Sequence, residues 1–226
     1  AQGVSFRLAV ELLAQESPSL STLAQASPLA AGVGPVGKSS SRKLPLLADP
    51  EVSDAELAAA VIEHYAATLV ASPEALGFLG KRGIDHPEAI TTFRLGFANR
   101  TLGYRLGHSA TKAGGTLRSR LQGLGFVRES GHEHFTGSLV VPVFDEQGNV
   151  GEVYGRKVAE HRLRAGTPVH LYLPGPHRGV LNHAGLVAAG VDELIITESV
   201  IDALSLWCNG FRHVTACYGT SGWTPD

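Results

Sequence analysis

The chain has few cysteines and no methionine, and both absences limit what it can be. Cys208 and Cys217 are its only cysteines, and their spacing fits neither a zinc-binding pair nor a disulfide framework. A zinc site within the chain is therefore not expected, although the sequence contains 10 histidines. No stretch is apolar for the length of a membrane span, and the first residues lack the regions of a signal peptide. We expect a cytoplasmic protein and, because the sequence does not begin with methionine, an excised fragment.

The charged residues are unevenly distributed along the chain, although the net charge is only −2. Residues 81–178 carry 14 basic and 8 acidic side chains, whereas residues 179–226 carry 1 basic and 5 acidic side chains. A basic segment followed by an acidic one is typical of a polyanion track that leads to a metal-binding carboxylate cluster. Chance unevenness on solvated surfaces is the alternative interpretation.

Local patterns divide the chain into four segments. Residues 1–16 contain an amphipathic helix, and residues 17–50 are rich in Ser, Pro, Gly and Ala, as flexible linkers are. Helical patterns dominate the start of residues 51–190, and strand patterns follow them. Residues 191–226 form a separate strand-helix-strand segment.

Four helices are predicted after the linker. Ser53 and Glu56 have the spacing of a capping box, and apolar residues follow at fourfold spacing: Leu57, Val61, Tyr65 and Leu69. Ser72 and Pro73 begin a second helix, a third begins near Asp85 and Glu88, and residues 116–124 suggest a fourth.

The strand signals come next. Residues 138–144 and 149–157 predict a hairpin, and residues 168–182 predict an ordered loop. Residues 193–197 read as a buried strand, 199–209 as a helix and 213–218 as a second strand. This order predicts a parallel pair with a helical crossover.

Glu198 and Asp202 are the candidate catalytic residues. Glu198 ends the first parallel strand, where functional groups of open α/β sheets gather, and Asp202 lies one helical turn later. Carboxylates at a strand edge suit Mg²⁺, so Glu198 is the predicted metal ligand. In the alternative interpretation, Glu198 caps the helix N-terminus and Asp202 is an ordinary exposed residue.

The segment from Ile195 to Leu204 resembles the TOPRIM signature of bacterial DnaG-type primases, in which a strand runs into Glu-Gly-Tyr-x-Asp. Ser199 and Val200 replace the Gly-Tyr pair, which suggests a divergent member of phage or mobile-element type. Four upstream segments also resemble the family's motifs in order: residues 78–84, 93–98, 139–156 and 171–176. The opening helix resembles the last helix of the zinc-binding domain that precedes such cores.

The resemblance implies a truncated α/β fold: an α+β N-terminal subdomain of the primase core, followed by the first β-α-β unit of a TOPRIM domain. The parent protein would synthesise RNA primers on a single-stranded DNA template from nucleoside triphosphates, with Mg²⁺ or Mn²⁺. Zinc would bind only in a domain preceding this chain, a replicative helicase is a candidate partner, and no membrane is involved. TOPRIM enzymes also need an Asp-x-Asp pair that this chain lacks, so we expect the fragment to be catalytically silent.

The resemblance also implies a set of nucleic-acid-binding or nucleotide-binding residues. Arg156 would hold a phosphate, unless it forms an ion pair with Glu152 or Glu160. Leu171 occupies the place of the family's loop lysine, so neighbouring side chains would have to replace it. The predicted set is Arg82, Arg156, Lys157, His170, Tyr172, Arg178, Gly219 and Thr220.

Two other functions stay open. The chain could be a non-catalytic module that only binds single-stranded DNA, because the loop lysine and the Gly-Tyr pair are both replaced. It could also belong to another TOPRIM enzyme, a nuclease or a topoisomerase, although the upstream motifs are those of a primase core. His132-Glu133-His134 has the wrong spacing for a helical metal site and is read as a loop.

Overall fold

The structure is a computed structural model that describes residues 44–188 and 190–219. The predicted helix in residues 1–16, most of the linker and Thr220 lie outside the described residues. The last residues of the predicted linker are already bonded to the folded unit. The Leu47 amide donates to the Arg105 carbonyl at 2.7 Å, and the Arg105 guanidinium donates to the Pro45 carbonyl at 2.9 Å.

Helix α1 (Asp54–Val70) has the predicted capping box. The Glu56 amide donates to Ser53 Oγ at 3.2 Å, and the Ser53 amide donates to Glu56 Oε2 at 2.8 Å. Both bonds satisfy amides that a helix N-terminus otherwise leaves unpaired. The predicted apolar face is confirmed, because the four residues at fourfold spacing are all buried: Leu57, Val61, Tyr65 and Leu69.

The next three helices lie where the sequence predicts them, but the cap of one and the first residue of another differ from the prediction. Helix α2 (Pro73–Gly80) begins after Ser72, as predicted. Helix α3 (Pro87–Thr92) is capped not by Asp85 but by His86, whose Nδ1 accepts the Glu88 amide at 3.3 Å. Helix α4 (Lys112–Gly123) begins four residues before the predicted start, because Thr111 supplies a side-chain cap.

A four-stranded antiparallel sheet follows the order β1-β2-β3-β4. Its strands are β1 (Gly96–Phe97), β2 (Ser138–Phe144), β3 (Val150–Lys157) and β4 (His170–Tyr172). The predicted β2–β3 hairpin is confirmed. Strand β4 lies inside the segment that was predicted to be a loop, and β1 was not predicted. Both are too short for a two-residue periodicity to be visible in the sequence.

The predicted β-α-β unit is also confirmed, with β5 (Ile195–Thr197) parallel to β6 (Val214–Ala216) and α6 (Val200–Cys208) between them. A short helix, α5 (His183–Leu186), precedes the unit. The prediction that the first strand is buried is wrong. Leu194 and Ile196 are 52% and 49% exposed, because no described segment covers that side of β5. None of the described helices is both long and apolar enough to cross a membrane.

The four-stranded sheet separates two hydrophobic clusters. Val140 and Val153 belong to a cluster with α1 and α4, whereas Val141 and Tyr154 belong to a cluster with α2, α3 and α6. This division follows from the alternation of side chains along a strand. The β-α-β unit therefore packs on the sheet face that carries Tyr154. Trp207 of α6 anchors it there, with its ring edge-on to Phe93 at 5.1 Å.

Candidate active site

Glu198 lies where β5 ends, and its side chain is exposed. Ser199, not Glu198, caps α6. Ser199 Oγ accepts a hydrogen bond from the Asp202 amide at 3.2 Å and donates one to Asp202 Oδ2 at 2.8 Å. The alternative interpretation of Glu198 as the helix cap is therefore wrong. The Glu198 carboxylate has no hydrogen-bond or ion-pair partner among the described residues, which leaves it open to a ligand.

The two departures from the TOPRIM signature have structural reasons. Serine is a preferred N-cap residue, so Ser199 stabilises the start of α6 at the position where the family has glycine. Val200 is 1% exposed and packs in the cluster below the helix.

Arg156 and Arg82 meet at one carboxylate. Arg156 Nη2 donates to Glu160 Oε1 at 2.7 Å, and Arg82 Nη2 lies 3.7 Å from the same oxygen. The ion-pair alternative for Arg156 is therefore confirmed with Glu160, not with Glu152. Arg156 still has a spare donor, because its Nη1 is buried without a hydrogen-bond partner among the described residues. Arg82 also stacks on the Phe78 ring, with its guanidinium carbon 3.7 Å from the ring centre.

Five rings form a continuous aromatic cluster, which we define as Tyr154, His170, Tyr172, His177 and Tyr218. Tyr154 and His170 share a hydrogen bond of 2.9 Å between the hydroxyl and Nδ1. The Tyr172 ring centre lies 5.4 Å from that of Tyr154, 4.8 Å from that of His177 and 5.8 Å from that of Tyr218. The cluster therefore runs from β3 and β4 to the residue immediately before Gly219.

Asp202 belongs to α6, which packs in the same hydrophobic cluster as Tyr154 and Tyr172, and its charge acts on the Tyr154 hydroxyl. Burial raises the pKa of Tyr154 above its ordinary value, and the negative charge of Asp202 adds to that rise. Arg156 and Arg82 act in the opposite direction on the same hydroxyl. The structure thus brings a predicted catalytic carboxylate close to the predicted nucleic-acid-binding side chains of β3 and β4.

Glu152 is the site residue that the sequence did not reveal. It is 1% exposed, and its Oε1 accepts the Leu173 amide at 2.9 Å. His177 Nδ1 donates to its Oε2 at 2.6 Å, and the His177 ring stacks on Tyr218 at 4.5 Å and 13°. The Tyr218 hydroxyl in turn donates to the Gly179 carbonyl at 2.7 Å. Glu152 therefore fixes the segment after β4, and through it the end of β6.

The remaining predicted residues are spread more widely. Arg178 is exposed, and its backbone carbonyl accepts a hydrogen bond from Tyr218 at 3.2 Å. Gly219 has a φ of +84°, which favours glycine at this turn. Lys157 points to the sheet face opposite Arg156, and its ammonium group donates to the Thr136 carbonyl. Burial lowers the pKa of Lys157, and nearby Arg128 and Arg100 lower it further.

The described residues do not form a complete metal site. Glu198 is a suitable oxygen ligand for a hard cation, but Asp202 is already bonded to Ser199. No group of three or more His, Cys, Asp or Glu side chains that could hold a metal ion exists within residues 44–188 and 190–219.

Comparison with solved structures identifies the fold. The catalytic core of the E. coli primase is 25% identical, with a TM-score of 0.59 over 75% of this chain and 56% of that one. A DnaG primase catalytic domain bound to single-stranded DNA is also 25% identical, with a TM-score of 0.59 over 74% of this chain and 56% of the other. The described chain has the fold of a DnaG primase catalytic core.

The RNA polymerase domain of Mycobacterium tuberculosis DnaG, in complex with double-stranded DNA, gives the same TM-score of 0.59 at 20% identity. That match covers 76% of this chain and 56% of the mycobacterial one. The chain thus spans about half the length of these DnaG structures. No protein-family model matches the sequence, and no curated protein matches it either.

Proposed function

We propose that the chain is the N-terminal part of a primase core whose parent protein synthesises RNA primers on single-stranded DNA. One observation carries this proposal. In a DnaG-core fold, the exposed Glu198 ends β5, and Asp202 follows it on α6, which packs on the sheet face that carries Arg156, Tyr154 and Tyr172. Guanidinium groups and aromatic rings are side chains that hold phosphates and stack on bases.

The chemistry would require a divalent cation. Mg²⁺ or Mn²⁺ would neutralise phosphoryl charge and favour attack by a primer hydroxyl, with Glu198 as one ligand. Further carboxylates would have to come from the part of the core that the chain does not cover. Arg156 would hold a phosphate oxygen by exchanging the hydrogen bond that its Nη2 makes with the exposed Glu160 carboxylate, and Tyr172 offers a partly exposed ring to a base or sugar.

The test is template-dependent primer synthesis by the parent protein, with all four nucleoside triphosphates and Mg²⁺ or Mn²⁺. We expect Glu198→Gln to reduce synthesis by at least about 10²-fold, the scale on which single electrostatic groups act in catalysis. Glu193→Gln removes another exposed carboxylate, just before β5, and should leave synthesis unchanged. Full activity of Glu198→Gln, or a parent without an Asp-x-Asp pair on a later strand, would contradict the proposal.

A binding module without catalysis is the second candidate function, and one observation favours it. Leu171, at the place of the family's loop lysine, is 8% exposed and belongs to the core. If the parent protein retains affinity for single-stranded DNA but makes no primers under any metal condition, this second function is the correct one.

A further inference from the structure

A second basic surface lies on the sheet face opposite Arg156. A groove of about 1010 Å³ runs between the turn before β2 and the loop before β4. Five basic side chains line it: Arg100, Arg128, Lys157, Arg162 and Arg164. Among the described residues, Glu133 is the only acidic one that lines the groove, although Arg162 also forms an ion pair at 3.5 Å with Glu74 outside it. Such an excess of positive charge in a concave surface attracts polyanions.

Glu133 is unusual because it is shielded from water within this groove. Neither of its carboxylate oxygens makes a hydrogen bond of good geometry among the described residues, although the Tyr65 hydroxyl of α1 faces the carboxylate and interacts with it. Arg100 faces it from the segment after β1, Lys157 faces it from β3, and the Leu102 backbone faces it from a 3-10 turn. Burial raises the pKa of Glu133 to about 7, although the Tyr65 hydroxyl, the Leu102 backbone and then the two cations oppose that rise.

Two histidines flank Glu133 in the sequence. His132 lines the groove, and so does His134, whose Nε2 hydrogen-bonds the Tyr172 carbonyl at 2.9 Å. Burial lowers the pKa of His134. Arg128 donates to the His134 carbonyl at 3.3 Å and contributes a fixed positive charge.

A bound phosphate would change the balance of charge around Glu133. It would cancel the field of the cations that stabilise the carboxylate, and it would add negative charge of its own. Both effects favour the protonated carboxyl. We propose that this groove is a phosphate-binding site for a nucleic-acid strand, and that strand binding there is coupled to proton uptake by Glu133. The inference rests on the proposed function, because the strand would be the template or primer.

The coupling fixes the sign of the pH dependence. Above neutral pH the free groove holds a charged Glu133, so binding must take up a proton and weakens as pH rises. Below about pH 7 the free carboxyl is already protonated, and this contribution to the pH dependence disappears. A rise of one unit in the pKa of Glu133 on binding corresponds to an affinity change of about tenfold.

The experiment measures the binding of a fluorescein-labelled 20-nucleotide oligothymidylate to the 226-residue chain by anisotropy, from pH 6.0 to 9.0. We expect Glu133→Gln to bind like the wild type at pH 6.0 and about tenfold more tightly than it at pH 8.5. The histidines are the same in both proteins, so the difference between the two isolates Glu133. In calorimetry at pH 7.5, with two buffers of different ionisation enthalpy, the wild type should take up more protons than the variant.

Charge reversal locates the strand. Arg164→Glu should weaken binding and reduce the salt dependence by about one phosphate contact, whereas Lys112→Glu, at an exposed residue outside the groove, should do neither. If the two variants have equal affinity and equal salt dependence, or if the wild type does not bind at low salt, the groove is not the binding site. Equal pH profiles for wild type and Glu133→Gln would overturn the proton coupling. Glu198→Gln should bind normally, so loss of primer synthesis and loss of groove binding are separate outcomes.

Discussion

Glu152 is the buried group whose removal should change the fold most sharply. Its carboxylate accepts the Val153 amide at 2.7 Å, the Leu173 amide at 2.9 Å and the His177 ring N–H at 2.6 Å. Because the side chain is 1% exposed, water cannot readily replace these bonds. Glu152→Ala therefore leaves buried donors without an acceptor and leaves His177 without its anionic partner.

The magnitude follows from the same contacts. An unsatisfied buried donor costs about 1–3 kcal/mol. Losing the hydrogen bond between the His177 ring and the charged Glu152 carboxylate costs about 1.5–3 kcal/mol more, and these costs overlap in part. We expect Glu152→Ala to lower the free energy of unfolding by about 3–5 kcal/mol. Glu152→Gln keeps an acceptor for the Leu173 amide but loses the charge-assisted bond to His177, so it should cost about 1.5–3 kcal/mol.

Urea unfolding of the 226-residue chain measures these losses by linear extrapolation. Glu146→Gln, in the exposed turn of the β2–β3 hairpin, is the matched control and should stay within about 0.5 kcal/mol of the wild type. A double-mutant cycle with His177→Gln should give a coupling of about 1 kcal/mol or more between the two side chains. A loss below about 1 kcal/mol for Glu152→Ala would refute the reasoning.

Two further predictions concern stability. Gly155→Ala should destabilise the chain by about 1–3 kcal/mol, because its Cβ would lie 2.5 Å from the Phe135 ring. Gly77→Ala, at an open position in α2, should instead stabilise it by about 0.5–1 kcal/mol, and urea unfolding distinguishes the two. Glu133 binds a proton more tightly in the folded chain than in the unfolded one, so it makes stability fall as pH rises from about 4.5 to about 7. Glu133→Gln should therefore gain on the order of 1–3 kcal/mol over the wild type at pH 8 and little at pH 4.5, in unfolding curves at both pH values. An equal difference at both pH values would contradict this assignment.

The parts of the fold that could be predicted are those with a local signal. The capping box of α1, the β2–β3 hairpin and the β-α-β unit each have their pattern within one continuous segment. Strand β4 and Glu152 have none, because the hydrogen bonds of Glu152 join residues 21 and 25 positions apart in the sequence. Such contacts exist only after the chain has folded back on itself.

In the candidate site, too, only the residues that lie close together in the sequence could be placed together in advance. Glu198 and Asp202 are separated by one helical turn, so their neighbourhood can be read from the sequence. Glu160 follows β3 and holds both Arg82 and Arg156, yet it was considered only as one of two alternative partners of Arg156. Residues 132–134 were correctly predicted to be a loop, but the groove around Glu133 was not foreseen, because its cations come from four separate segments of the chain.

Strand alternation also explains how the chain accommodates the missing loop lysine. His170 and Tyr172 point to the face of Tyr154, so Leu171 between them points to the opposite face, where it packs in the core and lines the groove. Positive charge on that face is supplied instead by the groove's own basic side chains, on β3 and the neighbouring segments. A strand bound there would contact the groove arginines, whereas one bound on the opposite face would contact Arg156. Because β4 is the edge strand, a single nucleic-acid strand passing around it could reach both surfaces.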